Sequence, residues 1–308
     1  MTAFAELSEL DAAEAIGVRR ELVRATARRS LARRRAGGRA AVSLCVVAVA
    51  VALAPLVALV GYTAARGARV ISVSFLANHT PIVPGIPGGG ITNAIVGSLV
   101  IVGLASLFAV PVGIVAAVFL MERRGRIANA VRFAADVMAG IPSIAIGIFV
   151  YAALVEPLGQ FSGIAGSLAL ATLMLPITIR ASEAAMRDVP RDLWDAGLAL
   201  GARRGRVVRS VVVRGALPGL VTGSLLAIAR AVGETAPLLF TAFGSSLFGV
   251  NPLKPLANMP LLIYSDGTQA YPAAQQIAWG AALVLLVLVL VLSIIARIVA
   301  SYLSRRAK

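Results

Sequence analysis

Residues 189–244 read VPRDLWDAGLALGARRGRVVRSVVVRGALPGLVTGSLLAIARAVGETAPLLFTAFG, a polar, arginine-rich stretch running without a spacer into an apolar one of helix length. The apolar part, Ala216–Gly244, carries Arg230 and Glu234 about half way along. An ionised side chain at such a depth costs about 2.5 to 3.5 kcal/mol on insertion scales. The two charges therefore need compensation. Four residues apart on a helix, they lie on one face about a turn from each other and can neutralise each other in part. Two uses stay open: an interhelical ion pair that only fixes packing, and a lining or gate for an anion path, to which a planar guanidinium is suited. Gly233 between them allows close helix approach or a bend, Thr235 adds a hydroxyl, and Pro237 disrupts the helix just beyond. Thr222, Ser224 and Thr241 also offer hydroxyls, although Ser and Thr within spans more often bond their own backbone.

Outward from this stretch the chain is apolar almost throughout. Of 308 residues, 59% are hydrophobic and only 14% charged, which excludes a soluble domain of this size and marks an integral membrane protein. The apolar runs are continuous rather than alternating, so the expected fold class is all-α, with six transmembrane helices and no β-barrel. The spans are expected near residues 40–62, 91–121, 130–155, 164–179, 216–244 and 276–303, within a membrane domain 40–303. Residues 1–39 form a basic N-terminal extension, for which a surface helix and a mobile tail are both open, and 304–308 form a tail. The second run is long for a ~30 Å core and contains Pro111, and the third is interrupted at Gly140-Ile141-Pro142. Arg132 and Asp136, near the basic end of the third run, have the spacing of a local i,i+4 ion pair.

The formal net charge of +15 raises nucleic acid as a partner, but the distribution of charge excludes it. Of the 29 basic residues, 25 fall on the side of both termini, three on the other side, and Arg230 lies inside a span. Such asymmetry places both termini and the 180–215 loop in the cytoplasm, with membrane lipid as the surrounding partner. A P-loop needs a Lys followed by Ser or Thr, and the two lysines, Lys254 and Lys308, do not provide it. Any ATP use then belongs to a partner chain, and no cofactor is expected. His79 is the only histidine and has no Cys or carboxylate near it in sequence, so neither a metal site nor a Ser-His-acid set is expected. The single Cys45 permits no intrachain disulfide. The chain is expected to transport and not to catalyse. A gradient-driven secondary transporter is the reading from a different class; it calls for titratable groups in several spans, and only Glu234 and Asp136 offer themselves.

The 180–215 loop has the signals of a compact knob. Pro190 suits a first helical residue, Asp192 the helix N-terminus, and Gly201 a left-handed C-terminal stop. A second short helix can follow over Arg203–Val213, leaving Leu193, Trp194 and Leu198 among charges, the pattern of an element that docks in a groove. Asp195-Ala196-Gly197 followed by Gly201 resembles the cytoplasmic EAA loop of ABC-transporter permeases, in which a Gly stands six residues after the Glu. Here Asp replaces Glu, Gly replaces the second Ala, and the Leu-Pro of the pattern comes four residues late, at Leu217-Pro218. The literal Glu183-Ala184-Ala185 does not meet the spacing, since Val189 occupies the sixth position.

Three more stretches are similar to segments of phosphate-transport permeases: Ala229-Arg-Ala-Val-Gly-Glu-Thr-Ala-Pro237, Ala139-Gly-Ile-Pro-Ser-Ile-Ala-Ile-Gly147 and Asn93-Ala-Ile-Val-Gly-Ser98. The first of them is closer to the A-type subunit than to its C-type partner. The resemblance covers about Gly89–Leu303 and implies the fold of a type I ABC importer permease in a bacterial cell membrane. It also implies a heterodimer with a homologous second permease, two ATP-binding subunits, and an extracytoplasmic phosphate-binding protein that delivers phosphate. Under it, Pro190, Leu193, Trp194, Asp195, Ala196, Gly197 and Gly201 would couple to the ATPase, while Arg230, Gly233, Glu234 and Thr235 would line the path. The nearest alternative is a permease for another oxyanion, sulfate or molybdate.

Overall fold

The computed structural model describes residues 12–83 and 86–306. Positions 1–11 of the basic extension and the last two residues of the tail lie outside the described residues. Among the described residues there are helices and turns and no named strand, only an isolated bridge between Phe243 and Leu256. Four helices among the described residues are long and apolar enough to cross a membrane, and up to six spans result if each of two bent helix pairs is counted as one.

The chain divides into two units at Tyr62 and Thr63. The first consists of most of helix α1 (Ala12–Gly67), which runs without interruption through the extension and into the first apolar segment. Over residues 41–62 this helix is apolar and exposed throughout, Val46, Leu53 and Val57 included. Such a surface is stable only against lipid or another chain.

The second unit has α7 (Gly163–Arg187) at its centre, more than half buried along its apolar window. It packs against α3 (Thr92–Glu122), which passes through Pro111 unbroken, and against α11 (Leu217–Val232). Lipid is as apolar as leucine, so helix association there depends on close contact between small side chains. That is how α7 meets its neighbours. An added Cβ on Gly219 or Gly223 of α11 would stand 2.5 Å from Ala185 Cβ or 2.6 Å from Ala181 Cβ, and one on Gly113 of α3 would stand 2.7 Å from Thr178 Cβ. Ile101, Ala105, Leu170, Met174, Ala227 and Ala231 fill the core between the three helices. A second cluster joins Phe75 of the short α2 (Val73–Ala77) to Ile277 and Ala281 of the last helix.

Each of the two bent pairs turns beside a proline, the first at the interruption expected in the third run. Around residues 130–155, α4 (Arg126–Gly140) and α5 (Ser143–Val150) meet at 103°. The break is at Ile141-Pro142, where Pro142 takes an extended ψ of 136° and caps α5. Beyond α5, a π-helical turn (Tyr151–Val155) and the single turn α6 (Glu156–Leu158) lead to Gly159, which adopts φ +64°. After α8 (Arg191–Ala199), the first half of the second pair consists of α9 (Arg204–Val207), a π-helical turn (Val208–Val212) and α10 (Val213–Gly215). The chain then bends by 69° into α11 at Leu217-Pro218, which gives the late Leu-Pro its place as the first turn of that helix. The apolar run expected as one span over 216–244 is not one helix. It stops at Val232 and resumes as α12 (Ala236–Thr241), with Pro237 in the first turn where its missing N–H does no harm. A polar loop follows, then α13 (Met259–Gly267), capped by the Asn258 side chain at 3.0 Å from Leu261 N, and α14 (Pro272–Arg306).

Candidate functional site

Two of the three stretches with a family resemblance meet at α12, and the third holds the segment that follows it. Gly147 of α5 faces Pro237 so closely that a Cβ on it would lie 2.7 Å from the proline Cα. Gly97 of α3 has no room for a Cβ against the Ala257 carbonyl. Beside it Ser98 Oγ accepts a hydrogen bond from Met259 N at 2.9 Å. Asn93 accepts from the Thr80 hydroxyl at 2.8 Å and donates to the Ser245 and Ser246 carbonyls. The glycines and small polar residues of these motifs thus hold the segment after Gly233 against α3 and α5.

At the junction itself, α11 ends with Gly233 and Glu234 donating backbone hydrogen bonds to Arg230 O and Ala231 O, both at 3.2 Å. Arg230 sits in the last turn, where a cation meets the negative end of the helix dipole. Its Nε lies 3.7 Å from Glu234 Oε1, a loose pairing at the outer limit of an ion pair. The arginine side chain remains 68% exposed and that of the glutamate 20%. Thr235 precedes α12 and makes no capping bond with its side chain. Of the other hydroxyls, Thr222, Ser224 and Thr241 each bond a carbonyl four residues back, at 2.7 to 2.8 Å, so they serve their own helices.

The second expected site is α8. The helix begins at Arg191, with Pro190 as its cap rather than its first residue. It ends as the sequence signals imply. Gly201 has φ +78°, its N–H donates to Leu198 O at 2.9 Å, and Ala202 N–H donates to Gly197 O at 3.3 Å, the paired bonds of a Schellman stop. Gly197, which departs from the alanine of the EAA pattern, has a reason in packing: a Cβ there would stand 3.0 Å from Val207 of α9. Trp194 packs inward against Met186, Val189 and Val212 with the Arg204 guanidinium over its ring at 6.0 Å. Leu193, Leu198 and Leu200 point away from this core and are exposed, as are Asp195 and Ala196.

One charged cluster draws its partners from two helices. Arg132 and Asp136 do not pair with each other. Arg132 Nε donates to Glu183 Oε1 at 2.8 Å, and Asp136 pairs with Arg180. Glu183, 2% exposed, also receives Arg187 at 2.6 Å and Arg180 at 3.1 Å. The i,i+4 geometry is overridden because a carboxylate buried on α7 needs more charge than one neighbour supplies. The spacing of Arg180, Glu183 and Arg187 on one helix was the available signal.

Residues 109–308 match the family model described as binding-protein-dependent transport system inner membrane component. The phosphate transport system permease protein PstA of Yersinia pestis is 36% identical over 274 residues, covering 88% of this chain and 92% of that protein. PstA 1 of Mycobacterium tuberculosis is 37% identical over 281 residues, covering 90% and 91%. Among solved structures, an inward-facing MetNI methionine ABC transporter superposes with a TM-score of 0.54 at 22% identity, over 71% of this chain and 96% of that one. A bacterial alginate ABC transporter in complex with its periplasmic protein gives 0.53 at 15% identity, over 69% and 79%. These likenesses fix the fold as that of an ABC importer permease. The chain belongs to the family of binding-protein-dependent transport system inner membrane components, among its phosphate transport system permeases.

Proposed function

We propose that the chain is a transmembrane subunit of an ATP-driven importer of inorganic phosphate, forming the path through the membrane and coupling it to a separate ATPase. As an importer permease it is a transport subunit that works with ATPase and substrate-binding partners. The finer assignment is a heterodimer with a homologous permease, two ATP-binding subunits and an extracytoplasmic phosphate-binding protein, with both termini in the cytoplasm by the charge asymmetry. The observation that carries the reading is Arg230: a guanidinium at a helix break, held loosely by one carboxylate and open on its other side. A carboxylate at 3.7 Å leaves the guanidinium free to take up a dianion and keeps it from holding that anion too firmly to release. Gly233 and Thr235 shape the break, while Leu193, Asp195, Ala196 and Leu198 form the face that meets the ATPase. Pro190, Trp194, Gly197 and Gly201 hold that face in position.

The test is a reconstituted complex with its partner subunits, assayed for phosphate uptake and ATP hydrolysis. Arg230→Gln is expected to lower uptake at least about tenfold, the loss of one charge-assisted bond to the anion, while Tm stays within error because the side chain is exposed. Joint replacement of Asp195 and Gly201 is expected to uncouple ATP hydrolysis from uptake. Undiminished uptake in both variants would sink the assignment. Sulfate or molybdate outcompeting phosphate would move it to another oxyanion. Uptake that ignores ATP and follows an ion gradient would replace it with a secondary transporter.

A further inference from the structure

The chain forms a hollow of about 660 Å³ between the end of α3 and the α9–α10 segment that follows α8 in sequence. Arg123, Arg203, Arg206, Arg209 and Arg214 line it, with Glu122 as the one acid. Arg209 is held by Glu122 through a two-pronged contact at 2.9 and 3.4 Å. The other four guanidiniums have no acidic partner among the described residues, and all four residues are exposed.

Their convergence has a backbone cause. In an α-helix, residues five apart are turned about 140° from each other, which would separate Arg209 from Arg214. Between them runs the π-helical turn Val208–Val212, closed by Val213 N–H on Val208 O, and it brings residues five apart toward one face. Arg206 lies a turn earlier on the same side, and Arg123 reaches the hollow from the end of α3. The positive-inside tendency asks only that basic residues flank the spans. It does not require four unneutralised guanidiniums around one concavity, where they repel one another at close range.

We propose that this hollow binds a phosphoryl anion, supplied as inorganic phosphate or as the phosphate of an anionic lipid headgroup. Guanidinium forks match phosphate oxygens two at a time, and an anion seated among them would offset the mutual repulsion. Its occupant would tie the end of α3 to the segment directly following α8, and so stiffen the base on which α8 stands. The proposal does not depend on which ion the importer carries.

The experiment uses the full chain in nanodiscs of phosphatidylcholine. One arm titrates radiolabelled inorganic phosphate by equilibrium dialysis. The other replaces part of the lipid with phosphatidylglycerol and counts retained anionic lipid by native mass spectrometry. In at least one arm, Arg206→Gln with Arg214→Gln is expected to weaken binding by roughly tenfold or more, and Arg123→Gln alone to weaken it by a smaller factor. The equal-charge control, Arg124→Gln with Arg126→Gln, lies outside the hollow and is expected to bind as wild type does. A response confined to phosphate identifies a soluble anion, one confined to phosphatidylglycerol identifies the headgroup, and both support the site. Equal weakening by the control pair, or no binding in either arm, overturns it. All five substituted arginines are exposed, so elution as a single symmetric species checks that the variants fold.

Discussion

Single residues in this protein are constrained by what cannot be left alone in an apolar medium. Glu183 is the clearest case: a buried carboxylate joined to three arginines, of which Arg132 reaches it from α4 and ties that helix to α7. Removing one partner of a fully buried pair costs roughly 3 to 5 kcal/mol. The arginines here are 25% to 59% exposed, so Glu183→Gln is expected to cost less, about 1 to 3 kcal/mol, read as a lowered Tm in detergent. An unchanged Tm would mean that the cluster contributes nothing to holding the helices together. Asp266, on α13 outside the spans, behaves differently. Its burial raises the carboxyl pKa above its ordinary value, and hydrogen bonding from the Ser265 hydroxyl offsets part of that rise. Between the ordinary value and the raised one, the folded protein holds more protons than the unfolded chain, so stability falls as pH rises through that window. Above the window the burial penalty is present in full. The Tm advantage of Asp266→Asn over wild type is therefore expected to grow with pH through this range and then level off. An advantage that shrinks as pH rises would contradict the sign.

Helices here are defined by how they end as much as by their apolar content. The α8 segment has no buried residue apart from its inward-turned, partly covered Trp194, so its geometry depends on its stop. Gly201 holds a left-handed φ of +78°, and a branched residue there carries a penalty of about 1 to 2 kcal/mol. Gly201→Val is expected to fray the last turn of α8 and speed amide exchange from about residue 198 to 203, with no change in α7. Exchange that stays slow across that turn would show that the Schellman bonds do not set the helix end. The break after Val232 follows the same logic. Gly233 ends α11 with its carbonyls turned to the junction, and Pro237 starts α12, so a polar pair sits between two helix ends and not along one helix face. The periodicity of an apolar run does not distinguish one long helix from two short ones. Gly233 and Pro237 mark the break, and Gly147 packs on Pro237 just beyond it.

At the level of the whole molecule, burial is uneven in a way that separates inside from membrane. The apolar window of α7 is 56% buried, that of α14 only 6%. Substitutions should follow this division. Ala169→Leu, at a fully buried position of α7, is expected to destabilise by about 1 to 3 kcal/mol through overpacking. Leu290→Ala, at an exposed position of α14, is expected to stay within about 0.5 kcal/mol. Thermal unfolding of the two variants side by side checks the ordering, and a reversed order would mean that α14 and not α7 is the packing centre. The residues by themselves settled the membrane class, the all-helical fold, the α8 stop at Gly201 and the absence of a nucleotide loop. Each of these depends on local chemistry: apolar run length, glycine's left-handed freedom, and the lysine that a P-loop needs. Tertiary structure alone decided that Arg132 and Asp136 part company for α7, that the two halves of the 130–155 run meet at 103°, that α11 already ends at Val232, and that five arginines line one hollow. Those outcomes depend on which surfaces meet, and a buried charge or a glycine contact is satisfied by residues that sequence spacing does not bring together.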